Sequence, residues 1–491
     1  MESLADEVWD VVINGTGLQQ SLLALALSRS NKKILHLDCR NYYGGPSAAL
    51  TLDEAEAWAI ENAASNDDSR IFRGATFAKC DDAIASLGPS RAYTLSLAPQ
   101  MIHCRSELVS QLVSSQVFRC LEFLAVGSFF VYQSEKDGQK PSLVKLPSTR
   151  EDIFLTTTIS AKAKRGMMKF LKLVLDYDSE ENKSIWKPHA TDFLSDFLAS
   201  SFKLDSSMQT LITTLTLDLD DKITVQNGIL AIHRHLNSTG VFGPGFAAVY
   251  PKFGGLSEVV QAGCRACAVG GAAYVLGTGV KASRPISEDD AKVEVDLVDG
   301  VTVKSRALVT SLETPCGNKV ASKLVAVVDA KPESIFQASV EGAQTPAVAV
   351  VAFPAKSLLE DQEHPVYAML HSSDTGECPV NQCIIYLSSL AYACSKLALS
   401  KALESLLFII TTPKCPAPKP LVQIYYEQAD SPSSLTIDGN IITVPCNTSD
   451  LAFGDGLLKP VREAWEVLTK NDEDAGEYMK FVDRKPVDDD E

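Results

Sequence analysis

The chain carries two kinds of apolar pattern, short β-branched runs and longer stretches with helical spacing. Its first run, residues 9–13, is followed by a glycine-containing turn, a segment rich in Leu and Ala at 21–28 and a second short run at 34–37. Short buried runs on either side of a helical segment are typical of parallel strands joined by a crossover helix. The N-terminal pattern therefore predicts a strand, helix and strand unit of the Rossmann type.

The turn after the first predicted strand has part of a dinucleotide-binding fingerprint. Gly15, Gly17 and, at the end of the second run, Asp38 occupy positions that this fingerprint uses for the turn, the pyrophosphate and a ribose hydroxyl. The third glycine position holds Gln20, whose side chain occupies space that close packing or a cofactor requires. We interpret these glycines as vestigial, expect no bound cofactor, and interpret Asp38 as a solvated carboxylate at a strand end.

The apolar pattern changes twice further along the chain. Between residues 134 and 239 apolar positions recur at helical spacing, as at Phe193, Leu194, Phe197 and Leu198. After Tyr274 the pattern alternates with period two, and an Asp-Gly turn at 299–300 predicts a hairpin. Further strands are expected at 307–310, 347–353 and 383–387. Helices are expected at 391–407 and around Trp465, and a proline-rich loop between them at 411–420.

Composition limits the classes of function. The chain has 491 residues, of which 45% are hydrophobic, and a formal net charge of −17, which argues against general nucleic-acid binding. No run of 18 apolar residues is present, and the acidic first ten residues do not resemble a secretory signal, so we expect a cytosolic protein with transient membrane association at most. The twelve Cys are expected to be reduced, and the pair Cys264 and Cys267 is interpreted as two thiols on one side of a helix.

No arrangement of catalytic or metal-binding residues is evident. The seven His show no metal-ligand spacing with carboxylates, and there is neither a nucleophile elbow nor a phosphate-binding loop. The sequence therefore predicts no catalytic residue and no metal site.

Three sequence blocks resemble one known family. The run 38–45 (DCRNYYGG) follows the Rossmann unit, the segments RCLEF and VGSFFVY lie within 119–132, and YPKFGGLSE at 250–258 leads into CRACAVG at 264–270. In this order the blocks resemble the family of Rab GDP dissociation inhibitors and Rab escort proteins. Small differences, such as Ser28-Arg29-Ser30 and the cysteine-rich third block, favour the escort branch.

The resemblance implies a mixed α/β fold with a flavoprotein-like Rossmann-type large domain and an inserted helical domain. On that basis we expect the large domain at 1–133 and 240–470, the helical domain at 134–239 and an acidic tail at 471–491. It further implies that the protein binds GDP-form Rab GTPases, presents them to an αβ Rab geranylgeranyltransferase, holds the geranylgeranyl lipid of the bound Rab in the helical domain and delivers the product to membranes.

The same resemblance implies a Rab-binding surface. Matched by motif, its candidate residues are Tyr43, Glu258, Arg265 and Val275. Glu258 and Arg265 are seven residues apart, so on a helix they share one face about 10 Å apart. Family members usually have Phe two residues before this Arg, where an aromatic side chain is associated with docking onto the transferase. Here that residue is Gly263, which removes an anchor of about 2 kcal/mol.

Two alternatives remain at this point. A Rab GDP dissociation inhibitor would recycle prenylated Rab without supporting prenylation. A flavin-dependent oxidoreductase is favoured by the Rossmann unit and disfavoured by Gln20.

Overall fold

The protein is described by a computed structural model in which most of the chain is placed. The described residues are 4–64, 70–80, 86–135, 140–146, 160–288, 290–311, 315, 319–338, 342–411, 418–431, 434–445, 449–470, 472 and 476–481. Most of the predicted acidic tail at 471–491 and most of the predicted proline-rich loop at 411–420 lie outside these residues. Among the described helices, none has the length and apolar character needed to cross a membrane.

The described helices and strands follow in chain order. The α-helices are α1 Leu18–Leu27, α2 Leu52–Glu61, α3 Glu107–Ser114, α4 Ala161–Leu175, α5 Glu180–Trp186, α6 Leu194–Phe202, α7 Ser206–Thr214, α8 Val225–Ser238, α9 Leu256–Val269, α10 Ser395–Ile410 and α11 Leu458–Thr469. The strands are β1 Val8–Asn14, β2 Ile34–Asp38, β3 Ala49–Leu50, β4 Phe72–Lys79, β5 Leu95–Ser96, β6 Ile102–His103, β7 Phe123–Gln133, β8 Ser142–Lys145, β9 Ala248–Pro251, β10 Ala273–Leu276, β11 Val280–Pro285, β12 Val293–Leu297, β13 Thr302–Ser311, β14 Val320–Val328, β15 Val348–Phe353, β16 Val366–Ser372, β17 Cys383–Leu390, β18 Pro420–Ala429, β19 Thr436–Asp438 and β20 Ile441–Val444.

The first sheet contains the predicted Rossmann unit. Its strand order is β10-β2-β1-β13-β12-β11, with β20 also paired to β13 and β19 paired to β20. β1 is parallel to both β2 and β13, and α1 forms the crossover between β1 and β2. All ten residues of α1 are buried, because α9 and α11 pack against it on the side away from the sheet. The predicted unit and the predicted hairpin between β12 and β13 are confirmed.

The second sheet is larger and mainly antiparallel. Its order is β4-β18-β14-β17-β16-β15-β7-β9-β6, with β8 paired to β7. Helix α10 covers one face and buries Leu399, Leu403 and Leu406 against alternate residues of β14, β16 and β17. The apolar pattern predicted β15, β17 and α10, but not β14, β16 or β18. Those three strands contain polar residues that the sheet buries, among them Lys323, His371 and Gln428, and these interrupt the apolar runs.

Helices α4 to α8 form a bundle between β8 and β9 in sequence. Phe170, Phe197 and Ile229 are buried in its core, which is continuous with one face of the second sheet. The helical pattern predicted from residue 134 begins too early: β7 extends to Gln133, and β8 pairs with it antiparallel. The described bundle begins at α4.

Candidate functional site

The turn between β1 and α1 has the backbone of a dinucleotide fingerprint but not its free space. Gly15 has a φ of +96°, a conformation that favours glycine. The buried Gln20 side chain folds back over the turn: a Cβ on Gly15 would lie 2.7 Å from Gln20 Nε2, and one on Gly17 would lie 2.6 Å from Gln20 Oε1. Gln20 Nε2 also donates to the Asn14 carbonyl at 3.3 Å. The pyrophosphate of a dinucleotide needs this space, so the residues present do not fit that cofactor.

Asp38 is not a solvated carboxylate, and that prediction is wrong. Its side chain is 1% exposed. One carboxylate oxygen accepts from Thr16 N at 2.7 Å and from Thr16 Oγ1 at 2.6 Å, and the other accepts from Arg40 N at 2.9 Å. A dinucleotide fold uses a carboxylate at this place for ribose. Here the same carboxylate holds the turn after β1 against the segment that follows β2.

The Tyr-Tyr-Gly-Gly segment continues from this anchor. Gly44 N donates to Thr16 Oγ1 at 3.0 Å, and Gly44 has a φ of +110°. A Cβ on Gly44 would lie 2.7 Å from the Ala48 Cα, so glycine is required by space as well as by conformation. The bend leaves the Tyr43 side chain half-buried, with its ring centroid 6.3 Å from that of Tyr274 on β10.

Helix α9 carries two of the predicted site residues on its outer face. Glu258 is half-buried in the first turn and Arg265 is exposed two turns later. Gln261 Nε2 donates to Glu258 Oε1 at 3.3 Å, and burial raises the pKa of Glu258 above its ordinary value. Among the described residues no carboxylate forms an ion pair with Arg265, which leaves its guanidinium available for a partner.

Gly263 lies on the opposite, buried face of α9. A Cβ at this position would lie 3.0 Å from the Ser21 carbonyl oxygen of α1, and one on Gly270 would lie 2.4 Å from the Ser28 carbonyl oxygen. These two glycines allow α1 and α9 to approach closely. The prediction that Gly263 replaces an exposed aromatic anchor is therefore wrong, because a side chain at this position would point into α1 and not towards a partner.

The structure does not group Val275 with the other three predicted residues. Tyr274 packs on the α1 and α9 side of the first sheet, whereas Val275 packs with Leu35 and Leu37 on the other side. Alternate residues of a strand point to opposite faces of the sheet. Tyr274, next to Val275 in β10, is therefore the residue whose side chain contacts Tyr43.

Tyr274 is a residue of this region that the sequence reasoning missed. Its ring lies between His36, at a centroid distance of 4.8 Å, and Tyr43. Burial raises its pKa, and burial also raises the pKa of Cys264 to about 11 and that of Cys267 to about 12. Both Cys are free and buried, which confirms the interpretation as packed thiols. The sequence did not indicate Tyr274, because its position in this region depends on the pairing of β10 with β2, which only the structure shows.

Phe253 is a second missed residue, and its backbone marks it. It has a φ of +67°, unusual for a bulky side chain, yet its side chain is 47% exposed. Its amide donates to Thr375 O at 2.8 Å, and Lys252 Nζ lies 5.0 Å from the centre of its ring. Residues held in strained backbone conformations cluster at functional sites. Phe253 lies just before α9, beside the surface that carries Glu258.

A buried polar cluster supports this junction from below. Glu377 is fully buried and accepts hydrogen bonds from Tyr250 Oη at 2.7 Å and Tyr386 Oη at 3.2 Å. His371 Nδ1 lies 2.7 Å from Glu377 Oε2, the same oxygen that accepts from Tyr386 Oη. A Cβ on Gly255 would lie 2.6 Å from Tyr250 Oη, so the glycine pair before α9 fits directly over the cluster.

One described group has donors that a metal ion uses. Asp220, Asp221 and His364 place their ligand atoms within 4.8 Å of one another. His364 is 143 residues or more away in sequence, so spacing along the chain did not reveal the group. Asp221 is exposed, and exposed carboxylates often lie together without an ion, so the group is not evidence for a metal site.

Comparison with known proteins identifies the fold first. The structure of an oxidoreductase from Methanosarcina mazei matches with a TM-score of 0.57 at 12% identity, covering 93% of this chain and 100% of that one. A Rab GDI from Plasmodium falciparum matches with a TM-score of 0.66 at 20% identity, covering 95% of this chain and 99% of that one. The molecule is thus a mixed α/β protein with the fold of FAD-type oxidoreductases. In this chain the Gln20 side chain fills the turn between β1 and α1.

The chain belongs to the GDP dissociation inhibitor family, whose model matches residues 5–391. It is 31% identical over 387 residues to the Rab proteins geranylgeranyltransferase component A of Saccharomyces cerevisiae, which covers 77% of this chain and 61% of that protein. It is 30% identical over 295 residues to a guanosine nucleotide diphosphate dissociation inhibitor of Arabidopsis thaliana, covering 59% and 58%. The chain spans about three fifths of the length of the component A relatives from Saccharomyces cerevisiae and Candida albicans.

Proposed function

We propose that this chain is a Rab escort protein, the accessory component A of a Rab geranylgeranyltransferase. In this role it binds a GDP-form Rab, presents its C-terminal cysteines to the catalytic αβ enzyme and then carries the prenylated product to a membrane. The observation that supports the proposal best is the similarity to relatives called component A over more than three quarters of this chain.

The proposed Rab-binding surface consists of Tyr43, Phe253, Glu258 and Arg265. It contains two partly exposed aromatic rings, one carboxylate and the Arg265 guanidinium, which forms no ion pair with a carboxylate of the described residues. Aromatic and Arg side chains are the commonest anchors of protein interfaces, and an Arg with a carboxylate nearby can bind polar groups of opposite kinds on a partner. Val275 is left out because its side chain packs on the other face of the sheet.

The proposed lipid-holding element is the helical bundle α4 to α8. A geranylgeranyl group exposed to water costs about 0.8 kcal/mol for each CH₂, so a prenylated Rab needs an apolar host. The bundle core is lined by aromatic and aliphatic side chains from several helices, among them Phe170, Phe197 and Ile229. We assign this chain no catalytic residue, a cytosolic location and only transient contact with a membrane.

The test is a prenylation assay. Unprenylated Rab, geranylgeranyl diphosphate and the αβ enzyme are incubated with and without this protein, and lipid incorporation is measured. We expect incorporation to require the protein. No incorporation, with Rab binding intact, would contradict the escort role.

The similarity to a dissociation inhibitor supports a second candidate function. An inhibitor would extract prenylated Rab from membranes but would not support the prenylation reaction. Both activities measured on the same protein separate the candidates. A flavin oxidoreductase would show flavin absorbance in the purified protein, and we expect none because Gln20 fills the turn.

A further inference from the structure

Helix α4 concentrates positive charge in an acidic protein. Its 15 residues contain Lys162, Lys164, Arg165, Lys169 and Lys172 and no acidic residue, so the helix contributes +5 while the rest of the chain carries −22. Such a local reversal of sign is uncommon on a solvated face, where charges of both signs usually alternate.

Four of these cations form one continuous stripe, made of Lys162, Arg165, Lys169 and Lys172. Their spacing of three, four and three residues places them on one side of the helix, over a length of about 15 Å. All four side chains are exposed, and none forms an ion pair with a carboxylate of the described residues. By contrast, Lys183 in the next helix pairs with Asp178 at 2.8 Å and with Glu180 at 3.3 Å.

Apolar side chains flank the stripe on the solvent side. Met168 and Leu171 are half-buried, and Leu175 is 52% exposed. The opposite side of α4 is fixed in the bundle, where Phe170 and Val174 are fully buried. The helix thus has three faces: one packed in the bundle, one of cations and one of partly exposed apolar side chains between them. Helices that lie on a membrane surface combine the last two.

We propose that the α4 stripe is a docking surface for a membrane rich in anionic phospholipid headgroups. A straight row of cations fits a flat, repeating anionic surface, and the flanking apolar side chains fit the boundary between headgroups and acyl chains. Because the Debye length is about 8 Å at physiological ionic strength, the acidic remainder of the molecule is screened from the membrane while the stripe is in contact. The protein therefore meets the membrane with its helical bundle.

This proposal rests on the proposed function, since α4 belongs to the bundle that is proposed to hold the lipid. Docking through α4 would bring the bound lipid close to the bilayer that receives it. The contact is expected to be weak and dependent on salt, as a carrier that must leave the membrane again requires.

The experiment uses the full chain and two double variants with equal changes in net charge. Arg165→Gln with Lys169→Gln removes two cations of the stripe. Lys281→Gln with Lys470→Gln, the control, removes two exposed cations elsewhere. Sedimentation with phosphatidylcholine vesicles, with and without phosphatidylserine, measures binding. We expect the unchanged protein to need phosphatidylserine and the stripe variant to bind about thirtyfold less, since each cation near an anionic surface contributes about a factor of five or more.

The control variant is expected to bind within about threefold of the unchanged protein, because its cations lie off the surface. Equal binding of the stripe variant and the control, or binding that ignores phosphatidylserine, would overturn the proposal. If the stripe variant loses Rab binding in solution instead, α4 is an interface for an acidic protein and the membrane proposal fails. Rab binding and prenylation are measured on the same samples. Loss of either activity in the unchanged protein would show failure of the proposed function, independently of the vesicle-binding result.

Discussion

Single residues in this protein take their meaning from the neighbours that the fold gives them. Gln20, in place of a glycine, fills the turn that would hold a pyrophosphate. The Asp38 carboxylate accepts hydrogen bonds from the backbone amides of Thr16 and Arg40. Through Thr16, which also accepts from Gly44 N, the turn after β1 supports the segment that carries Tyr43.

Arg265 tests the proposed Rab-binding surface. We expect Arg265→Ala to weaken binding of GDP-form Rab by more than about tenfold, because an exposed guanidinium with no ion-pair partner in the described part of the chain is available as an interface anchor. Titration with labelled Rab measures the affinity, and the thermal midpoint should not change. Lys281→Ala, at the opposite edge of the first sheet, is the control. Equal affinities of the two variants would count against the surface.

Gly263 tests the packing of α1 against α9. We expect Gly263→Ala to lower the free energy of unfolding by about 1 to 3 kcal/mol, because the added Cβ meets the Ser21 carbonyl oxygen at 3.0 Å. Ala268→Ser on the same helix changes an exposed position of similar size and should change stability by less than about 0.5 kcal/mol. Urea denaturation provides both values. A Gly263→Ala protein as stable as the control would show that α9 has room to move away.

At the scale of elements, the junction from β9 into α9 shows how a surface is held in place. The two glycines before α9 adopt positive φ, and Gly255 lies over the Tyr250 hydroxyl. That hydroxyl donates a hydrogen bond to Glu377, which also accepts one from the Tyr386 hydroxyl of β17. A strand, a helix and a buried carboxylate thus position Phe253 and the first turn of α9 together.

Glu377 tests this support. Its loss would leave the hydroxyls of Tyr250 and Tyr386 and the His371 ring without their shared acceptor in a fully buried place. We therefore expect Glu377→Ala to lower the free energy of unfolding by about 3 to 5 kcal/mol. Glu404→Ala removes a solvent-exposed pair with Lys401 and should cost less than about 1 kcal/mol. Similar denaturation midpoints for the two variants would contradict the supporting role of the cluster.

For the whole molecule, buried neutral histidines link stability to pH. Burial lowers the pKa of His36 and that of His235 from 6.5 to about 4. Burial also lowers the pKa of His103 well below its ordinary value. The unfolded chain then binds more protons than the folded one between pH 6.5 and 4, so stability falls as the pH falls through this window. His36 and His235 should each contribute a loss of about 2 kcal/mol between pH 7 and pH 5.

His36 provides the corresponding variant. In His36→Gln the loss of stability between pH 7 and pH 5 should be smaller by about 2 kcal/mol than in the unchanged protein. Urea midpoints at both pH values measure the difference. His189→Gln alters an exposed ring that pairs with Asp192 and serves as the control, with little change expected. An unchanged pH dependence in His36→Gln would show that this ring does not contribute.

The charge of the whole molecule is also unevenly distributed. A net charge of −17 keeps the protein dispersed, while the basic side of α4 lies on the helical bundle. Composition reports only the sum. The position of α4 on the outside of the bundle makes the local excess of positive charge available to a partner.

The sequence by itself determined the Rossmann unit, the hairpin after Leu297, the helical character of the segment that forms the bundle, and the family. These depend on local periodicity, turn residues and contiguous motifs, which neighbouring residues along the chain specify. It also placed Glu258 and Arg265 on one helical face, because helix geometry fixes that relation once the helix is given.

Only the tertiary structure decided what these elements meet. The burial of Asp38, the packing of Gly263 against Ser21 and the separation of Val275 from Tyr43 all depend on contacts between distant segments. The strands β14, β16 and β18 were missed for a related reason: each contains a polar residue that only the packed sheet buries, Lys323, His371 and Gln428 respectively. A pattern along one chain reports burial, but only the neighbouring elements determine which side is buried and against what.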